Sequence, residues 1–500
     1  MNNNESLSLI TGKKYIIPEL LDDKKNINLF LEKNANKKVI VVQGLGFVGA
    51  VMSLVCANSE KEEYAVIGVD LANNDNYWKI KSINEGIFPI SASDPKIEEF
   101  FLVTQKKNNF YATYDPYAYS IADYIIVDVN LDVQKETSLR GDLLNYNVDL
   151  TNFGKAIKVI GDNCKENVLI LVETTVPPGT CKKVVKPILE KSLIDRNLDP
   201  NKFKLGHSYE RVMPGPNYID SIKNFYRVFS GINDTSAIEI EKFLKTIIST
   251  ENYPLTRLIN TNATEMAKVL ENSYRAMNIA FAVEWSRYAE ESEVNLYEIV
   301  DAIRMRPTHS NLMYPGIGVG GYCLTKDPLL ASWAKINHFN SNDGLEQSEK
   351  GVKINDKMPH YAFDFMKKAF ALDSIINKKI LLLGVSYRSD VADTRYSPVE
   401  PFYLNCVNNK AIVDTHDPYV HYWEEINIKV SQDLYEKLNM NWDVIVFSAA
   451  HSEYKNPKVI SRISKMSNVN ILDTLGILKQ NDIIELNKNN VVKVLGRGDI

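Results

Sequence analysis

Short apolar runs and helix-compatible stretches alternate along most of this chain. KKVIVVQ (37–43) is a β-branched run. GLGFVG (44–49) follows it, AVMSLVCAN (50–58) is helical in composition, and YAVIGVD (64–70) is a second strand-like run. Strand, glycine turn, helix and strand make a βαβ unit. Three more runs, DYIIVDV (123–129), NVLILVETT (167–175) and YRVFSGI (226–232), recur at similar spacing. To about residue 235 the pattern predicts a parallel sheet with helices on both faces.

The texture changes from about 260 to 295, where the chain has neither Pro nor Gly. Met266, Val269, Leu270, Met277, Phe281 and Tyr288 recur at helical spacing. This predicts one long helix, or two with a kink, serving as a spine and as a natural subunit interface. PGIGVGGYC (315–323) is a glycine-rich loop. The last third returns to α/β texture, with strands over KKILLLGVSYR (378–388), KAIVDTHDP (410–418), NWDVIVFSAA (441–450), VNILDTLG (469–476) and VVKVLG (491–496). The polar stretch 338–351 is the best boundary before this lobe. Residues 1–36 read as a polar extension with one short helix over 25–34. The predicted fold class is α/β, with two doubly wound parallel-sheet lobes joined by a long central helix. The domains fall at 1–36 (extension), 37–250 (first lobe), 251–350 (helical, with the cysteine loop) and 351–500 (second lobe).

Composition narrows the function. Five hundred residues exceed one compact core. Hydrophobic residues make up 45% and charged residues 24%, as in ordinary globular proteins. The formal net charge of −5 argues against coating a nucleic acid. It leaves room for a phosphorylated small molecule, which a few amides and one or two Arg can hold. No run of about 18 apolar residues predicts a membrane span, and the N-terminus has no apolar signal stretch. Five scattered cysteines point to a reducing, cytoplasmic compartment, and no Cys-x-x-Cys pair suggests a metal site.

Four motifs carry candidate chemistry. Gly44, Gly46 and Gly49 form G-x-G-x-x-G between a strand and a helix, a Rossmann-type turn whose residues, with Phe47 and Val48, are candidate cofactor contacts. Asp70 ends the next strand, about 20 residues beyond Gly49, where a carboxylate receives ribose hydroxyls and repels a 2′-phosphate. The cofactor expected over 37–250 is therefore NAD. Cys323 follows Gly320, Gly321 and Tyr322 and precedes Lys326 and Asp327. Lys326 and the loop amides could activate its thiol, and Asp327 could serve as a base. Without that setting Cys323 reads as a small buried hydrophobe, as Cys56, Cys164, Cys181 and Cys406 do. Lys268, Asn272 and Arg275 share one face of the spine helix. They form either a solvated face or, beside a nucleophile, an oxyanion-holding pair in Lys268 and Asn272. ETTVPPGT (173–180) puts Thr175 at the carboxyl end of a strand, where open α/β sheets bind ligands; otherwise it is an ordinary turn.

Together these pieces resemble the UDP-glucose/GDP-mannose dehydrogenase family, whose members use NAD to oxidise a nucleotide sugar at C6. The resemblance covers 37–500 and rests on GLGFVG, INEGIFPI (83–90), ETTVPPGT, SYERVMPG (208–215), AKVLENSYRAMNIAF (267–281), PGIGVGGYCLTKDP (315–328), GVSYRSDVADTRYSP (384–398) and LGRG (495–498). The glucose-oxidising branch usually carries a second Glu where this chain has Pro214. ERV-x-PG and PG-x-GVGG are closer to the branch acting on UDP-N-acetylhexosamines for surface polysaccharides. Tyr209, Thr325, Asn130-Leu131, Arg388 and His309 depart from the family pattern, and none removes a reacting group.

The resemblance implies a four-electron oxidation in which Cys323 captures the aldehyde as a thiohemiacetal and then carries a thioester. It makes Asp327 the base, with Lys268 as the alternative. Lys268 and Asn272 become oxyanion partners, and Glu210 with Thr175 aids the hydrolytic water. Arg211, Arg275, Gly320, Arg388 and Arg395 become substrate contacts, and the last lobe, which lacks a dinucleotide fingerprint, holds the UDP group. Arg388 and Arg395 read equally well as structural ion pairs. A homodimer or higher homo-oligomer is expected, with no nucleic-acid or membrane partner. UDP-glucose oxidation, two-electron 2-hydroxyacid or 6-phosphogluconate type chemistry, and a non-catalytic nucleotide-sugar binder are the rival readings.

Overall fold

The computed structural model describes residues 4–20, 22–90, 92–212 and 215–500. The chain divides into two compact units. The first comprises Met1–Asp132, Val148–Val269 and Trp333–Asn342; the second comprises Val133–Asn147, Leu270–Ser332 and Asp343–Ile500.

The first unit is built on an eight-stranded sheet. Its spatial order is Thr256–Arg257, Val228–Gly231, Lys204–Tyr209, Leu169–Val172, Tyr124–Val127, Lys38–Gln43, Tyr64–Val69 and Phe110–Thr113. Tyr64–Val69 is buried at every residue, as a strand covered on both faces must be. The helix Phe47–Ala57 is buried from Gly49 to Ala57 against this sheet and its neighbours. Strand order reverses between Lys38–Gln43 and Tyr124–Val127, the switch point at which such sheets bind ligands. One pairing departs from the all-parallel expectation: Lys204–Tyr209 runs antiparallel to Val228–Gly231. Among the described residues, the connection between them holds only the short helix Tyr218–Lys223 and does not bring the chain back to the starting edge.

The second unit holds a five-stranded, wholly parallel sheet. Its order is Ile412–His416, Lys379–Leu383, Val444–Phe447, Asn470–Asp473 and Val491–Val494. Alternate residues of one strand feed different cores. Ile380 and Leu382 pack with Trp423 and Phe402, whereas Leu381 and Leu383 pack with Phe447 and Tyr454. A hairpin of Val133–Thr137 and Leu143–Val148 lies against the helix Glu346–Ala369. Lys135 pairs with Asp356 at 2.7 Å, and the Tyr146 hydroxyl donates to Glu349 at 2.7 Å. That helix begins inside the polar stretch 338–351, so the stretch is not loop throughout.

The central segment is one continuous helix, Thr261–Glu291, and the unit boundary falls within it. Its apolar positions divide. Val269, Ala276, Ala280 and Val283 are buried, while Met266, Leu270, Phe281 and Tyr288 are exposed. The N-terminal segment carries the expected helix at Lys24–Lys33 and also a strand pair, Glu5–Leu7 with Lys14–Ile16, that anchors Tyr15 and Ile17 in the first core.

Candidate active site

The glycine turn sits at the switch point of the first unit. Gly44 has φ +97°, and a Cβ there would lie 2.4 Å from the Asp128 carbonyl oxygen. A Cβ on Gly49 would fall 1.9 Å from the Gly44 carbonyl oxygen. Both glycines are fixed by packing. Gly46 differs, because no atom stands within 4 Å of where its Cβ would be. Gly46 starts the helix Phe47–Ala57 without a capping side chain, which leaves open space at a helix N-terminus. Asp70 accepts the Leu45 N–H at 2.9 Å and the Leu71 N–H at 2.7 Å, and burial pushes its carboxyl up. This cradle fits a dinucleotide: amides and a helix dipole for the diphosphate, and a carboxylate for the ribose.

In the second unit Cys323 is exposed, whereas Cys56, Cys164, Cys181 and Cys406 are buried. The Cys323 carbonyl accepts the N–H groups of Lys326 (3.2 Å) and Asp327 (2.9 Å), which locks a turn at the start of the helix Asp327–Asn337. Asp327 is fully buried. One of its oxygens accepts from Asn272 Nδ2 at 2.6 Å and the other from Lys326 Nζ at 3.0 Å. Lys326 is therefore engaged by Asp327 and lies 4.6 Å from the centre of the Tyr322 ring. Thr325, the departure beside Cys323, sends its hydroxyl to the Gly321 carbonyl at 2.9 Å and ties the same turn.

The glycines ahead of Cys323 are fixed by packing, since Cβ atoms on Gly318, Gly320 and Gly321 would meet Pro398, Tyr387 and Tyr387 at 2.8, 2.4 and 2.7 Å. Gly320 is glycine because the loop packs tightly on residues 387–398. The Gly321 N–H also donates to the Arg395 carbonyl at 3.1 Å.

In the first unit Lys268 and Glu210 are both 8% exposed. The Lys268 ammonium donates to the Glu210 carbonyl at 2.9 Å, stands 3.5 Å from its carboxylate, and lies 5.4 Å from the centre of the Tyr209 ring. Tyr209, the second departure from the family pattern, thus supplies a cation–π face. Arg211 stacks near Tyr209 and Phe225, at 5.9 and 5.6 Å. Thr175 is half-buried just past the strand Leu169–Val172. The expected common face of Lys268, Asn272 and Arg275 is graded: Lys268 is buried, Asn272 half-buried and Arg275 exposed. Met213 and Pro214 of the ERVMPG motif lie outside the described residues.

The second sheet has its own switch point, and it is closed. Gly384 has φ +101°, and a Cβ there would meet Ala449 at 2.3 Å. Asp417 stands where Asp70 does in the first sheet and takes the Val385 and Ser386 N–H groups. It is fully buried under His451, whose Nε2 lies 3.0 Å away. That filling explains a nucleotide-type fold with no dinucleotide fingerprint. Arg388 is exposed on the following loop, and Arg395 makes a bidentate pair with Asp393 at 2.9 and 2.7 Å.

Several site residues escaped sequence reasoning. Glu265, fully buried, accepts the N–H groups of Gly179 (2.6 Å) and Cys181 (2.8 Å) and so clamps the turn after Thr175 to the helix of Lys268. Its place one helical turn before Lys268 was the available signal. Glu173 and Arg227 form a buried ion pair that no spacing announces. Among the described residues no cluster suits a metal ion, and no helix is long and apolar enough to cross a membrane.

A dinucleotide cradle in one unit, with an exposed cysteine beside a buried carboxylate in the other, defines an oxidoreductase of the NAD-binding α/β class. The chain belongs to the UDP-glucose/GDP-mannose dehydrogenase family. The family's NAD binding domain matches residues 38–248, its central domain 262–356 and its UDP binding domain 381–480. The UDP-N-acetyl-D-mannosamine dehydrogenase of Pyrococcus horikoshii is 29% identical over 465 residues, covering 92% of this chain and 100% of that protein. The enzyme of the same name from Methanococcus vannielii is 30% identical over 475 residues, covering 93% and 99%. The solved P. horikoshii UDP-D-ManNAc dehydrogenase aligns with a TM-score of 0.77 at 27% identity, over 92% of this chain and 100% of that one. The chain is thus an NAD-dependent UDP-sugar dehydrogenase with two Rossmann-like lobes.

Proposed function

We propose that this enzyme oxidises C6 of a UDP-N-acetylhexosamine, of the N-acetylmannosamine type, from alcohol to carboxylate through a covalent intermediate on Cys323. The observation that carries the chemistry is the exposed Cys323 one turn ahead of the buried Asp327, which accepts a hydrogen bond from Asn272. The sugar is supported by the names of the relatives and by the ERV-x-PG and PG-x-GVGG sequences. NAD, when bound in the Gly44–Gly49 cradle, accepts a hydride in each of the two oxidations.

Asp327 takes the C6 hydroxyl proton, with Lys268 as the alternative base. The Cys323 sulfur adds to the aldehyde carbon, and the resulting thiohemiacetal is oxidised to a thioester. Water then cleaves the C–S bond, releasing the carboxylate and restoring the thiol. Glu210 and Thr175 orient that water. The Lys268 ammonium and the second amide hydrogen of Asn272 stabilise the oxygen anion at each stage. Arg275, Arg388 and Arg395, with Arg211, are candidate contacts to the UDP-sugar. Covalent capture keeps the aldehyde in place while one NADH is exchanged for NAD. The uronate product is proposed as a precursor of surface polysaccharide.

Self-association belongs to the same reading. Leu270, Tyr274, Phe281, Trp285 and Tyr288 form an exposed apolar stripe on the long helix, with Phe281, Trp285 and Tyr288 in ring contact. We assign it to pairing with a second copy, because a stripe along one helix is self-complementary about a two-fold axis.

An NADH assay over UDP-N-acetylmannosamine, UDP-N-acetylglucosamine, UDP-N-acetylgalactosamine, UDP-glucose and GDP-mannose tests the proposal. The expected result is highest kcat/KM on UDP-N-acetylmannosamine with two NADH per sugar. Preference for UDP-glucose overturns the sugar, one NADH per sugar overturns the four-electron route, and binding without NADH restores the non-catalytic reading.

A further inference from the structure

The carboxyl edge of the first sheet holds ionisable side chains that the reaction above does not use. Val127 pairs with Val172, so Asp128 and Glu173 leave neighbouring strands side by side, and the Glu173 N–H donates to the Val127 carbonyl at 3.0 Å. Tyr209 pairs with Val228, which sets Glu210 beside Arg227. Three carboxyl groups, Asp128, Glu173 and Glu210, thus meet two cations. Arg227 is ion-paired with Glu173, the two side chains 2% and 0% exposed. Lys268 is paired with Glu210.

Asp128 has neither cation as its ion-pair partner. Its Oδ2 is buried and has no hydrogen-bond partner among the described residues, and Glu173 Oε2 and Arg227 Nη2 share that condition. The nearby Cys56 thiol is pushed up by burial and stays neutral. Burial likewise lowers His207 to about 3, so it brings no charge at neutral pH. With Cys56 and His207 neutral, three carboxylates against two cations leave one negative charge in excess. A buried charge without a partner takes a proton instead.

We propose that Asp128 is a neutral carboxylic acid at neutral pH, its proton removing the one negative charge that the cluster holds in excess. Burial raises both Asp128 and Glu173, and the negative charge of Glu210 adds to both, while Arg227 offsets the effect most at its partner Glu173. Asp128 also adjoins the cofactor cradle, since its carbonyl oxygen and Cβ are among the nearest atoms to Cβ positions on Gly44 and Gly49. Its ionisation would place a negative charge against the turn that receives the NAD diphosphate, so Asp128 acts as a positioning residue for that turn.

Isotope-edited infrared spectroscopy of the full-length enzyme tests this directly. At pH 7 the protein labelled with ¹³C-aspartate shows a shifted C=O stretch of a protonated carboxyl group. Asp128→Asn removes it. Glu173→Gln, which leaves two carboxyls for two cations, removes it as well. In parallel, the Kd for NAD weakens several-fold from pH 7 to pH 10 in the wild type and stays flat in Asp128→Asn. Absence of the band in the wild type, its persistence in both variants, or the same pH dependence of NAD binding in wild type and Asp128→Asn overturns the proposal. If Asp128→Asn does not fold, the labelled wild type and Glu173→Gln decide it. The infrared readout needs no turnover, so failure of the thioester route leaves it standing.

Discussion

Lys268 sits where a single side chain touches several functions. Its ammonium is held by the Glu210 carbonyl and the Tyr209 ring in a nearly water-free setting, which strengthens any interaction with a developing oxygen anion. Lys268→Met is expected to lower kcat about 10²-fold with little change in KM, the usual cost of losing one oxyanion donor. Steady-state kinetics check it, and unchanged turnover contradicts the role. At this scale the sequence was informative for reactive types. Cys323, Lys268, Asn272 and Asp327 stood out by chemistry and spacing. Asp128, Glu173 and Arg227 did not, because they meet only when strands far apart in the chain are laid side by side. Tyr209 and Thr325, odd by the family pattern, have local reasons: a ring beneath a cation and a hydroxyl tying a turn.

Among elements, the long helix and the turn after Leu169–Val172 are coupled through Glu265. Losing its carboxylate strands two buried N–H groups, so Glu265→Ala is expected to destabilise the fold by roughly 2 kcal/mol, read by denaturant unfolding. Burial raises the Glu265 carboxyl from 4.5 to about 7. The folded state therefore holds its proton more tightly than the unfolded state does. The stability linked to that proton is full below about 4.5 and is lost as pH rises to about 7. Glu265→Gln should flatten this part of the pH–stability curve, and an unaltered slope contradicts the assignment. The five strands of the second sheet were all legible, since each is an apolar run bounded by turns. Phe110–Thr113 and Lys204–Tyr209 were missed. Lys204–Tyr209, KLGHSY, mixes polar residues into a buried strand, and Phe110–Thr113 is only four residues long. The glycines before Cys323 are required by close packing on Tyr387 and Pro398, and pattern alone does not separate a glycine needed by a ligand from one needed by a neighbouring ring.

For the whole molecule, a net charge of −5 and two nucleotide ligands call for local rather than global attraction. The open helix start at Gly46 and a few placed cations supply it. The stripe from Leu270 to Tyr288 predicts that Phe281→Glu converts a dimer to a monomer in sedimentation, while a wild-type monomer at micromolar concentration contradicts the assigned pairing. The central claim is that Cys323 carries the sugar between its two oxidations. Uronate release by Cys323→Ala at saturating NAD and UDP-N-acetylmannosamine tests it most directly. The account predicts a loss of roughly 10³-fold or more, as for removal of other covalent nucleophiles; release at the wild-type rate contradicts it.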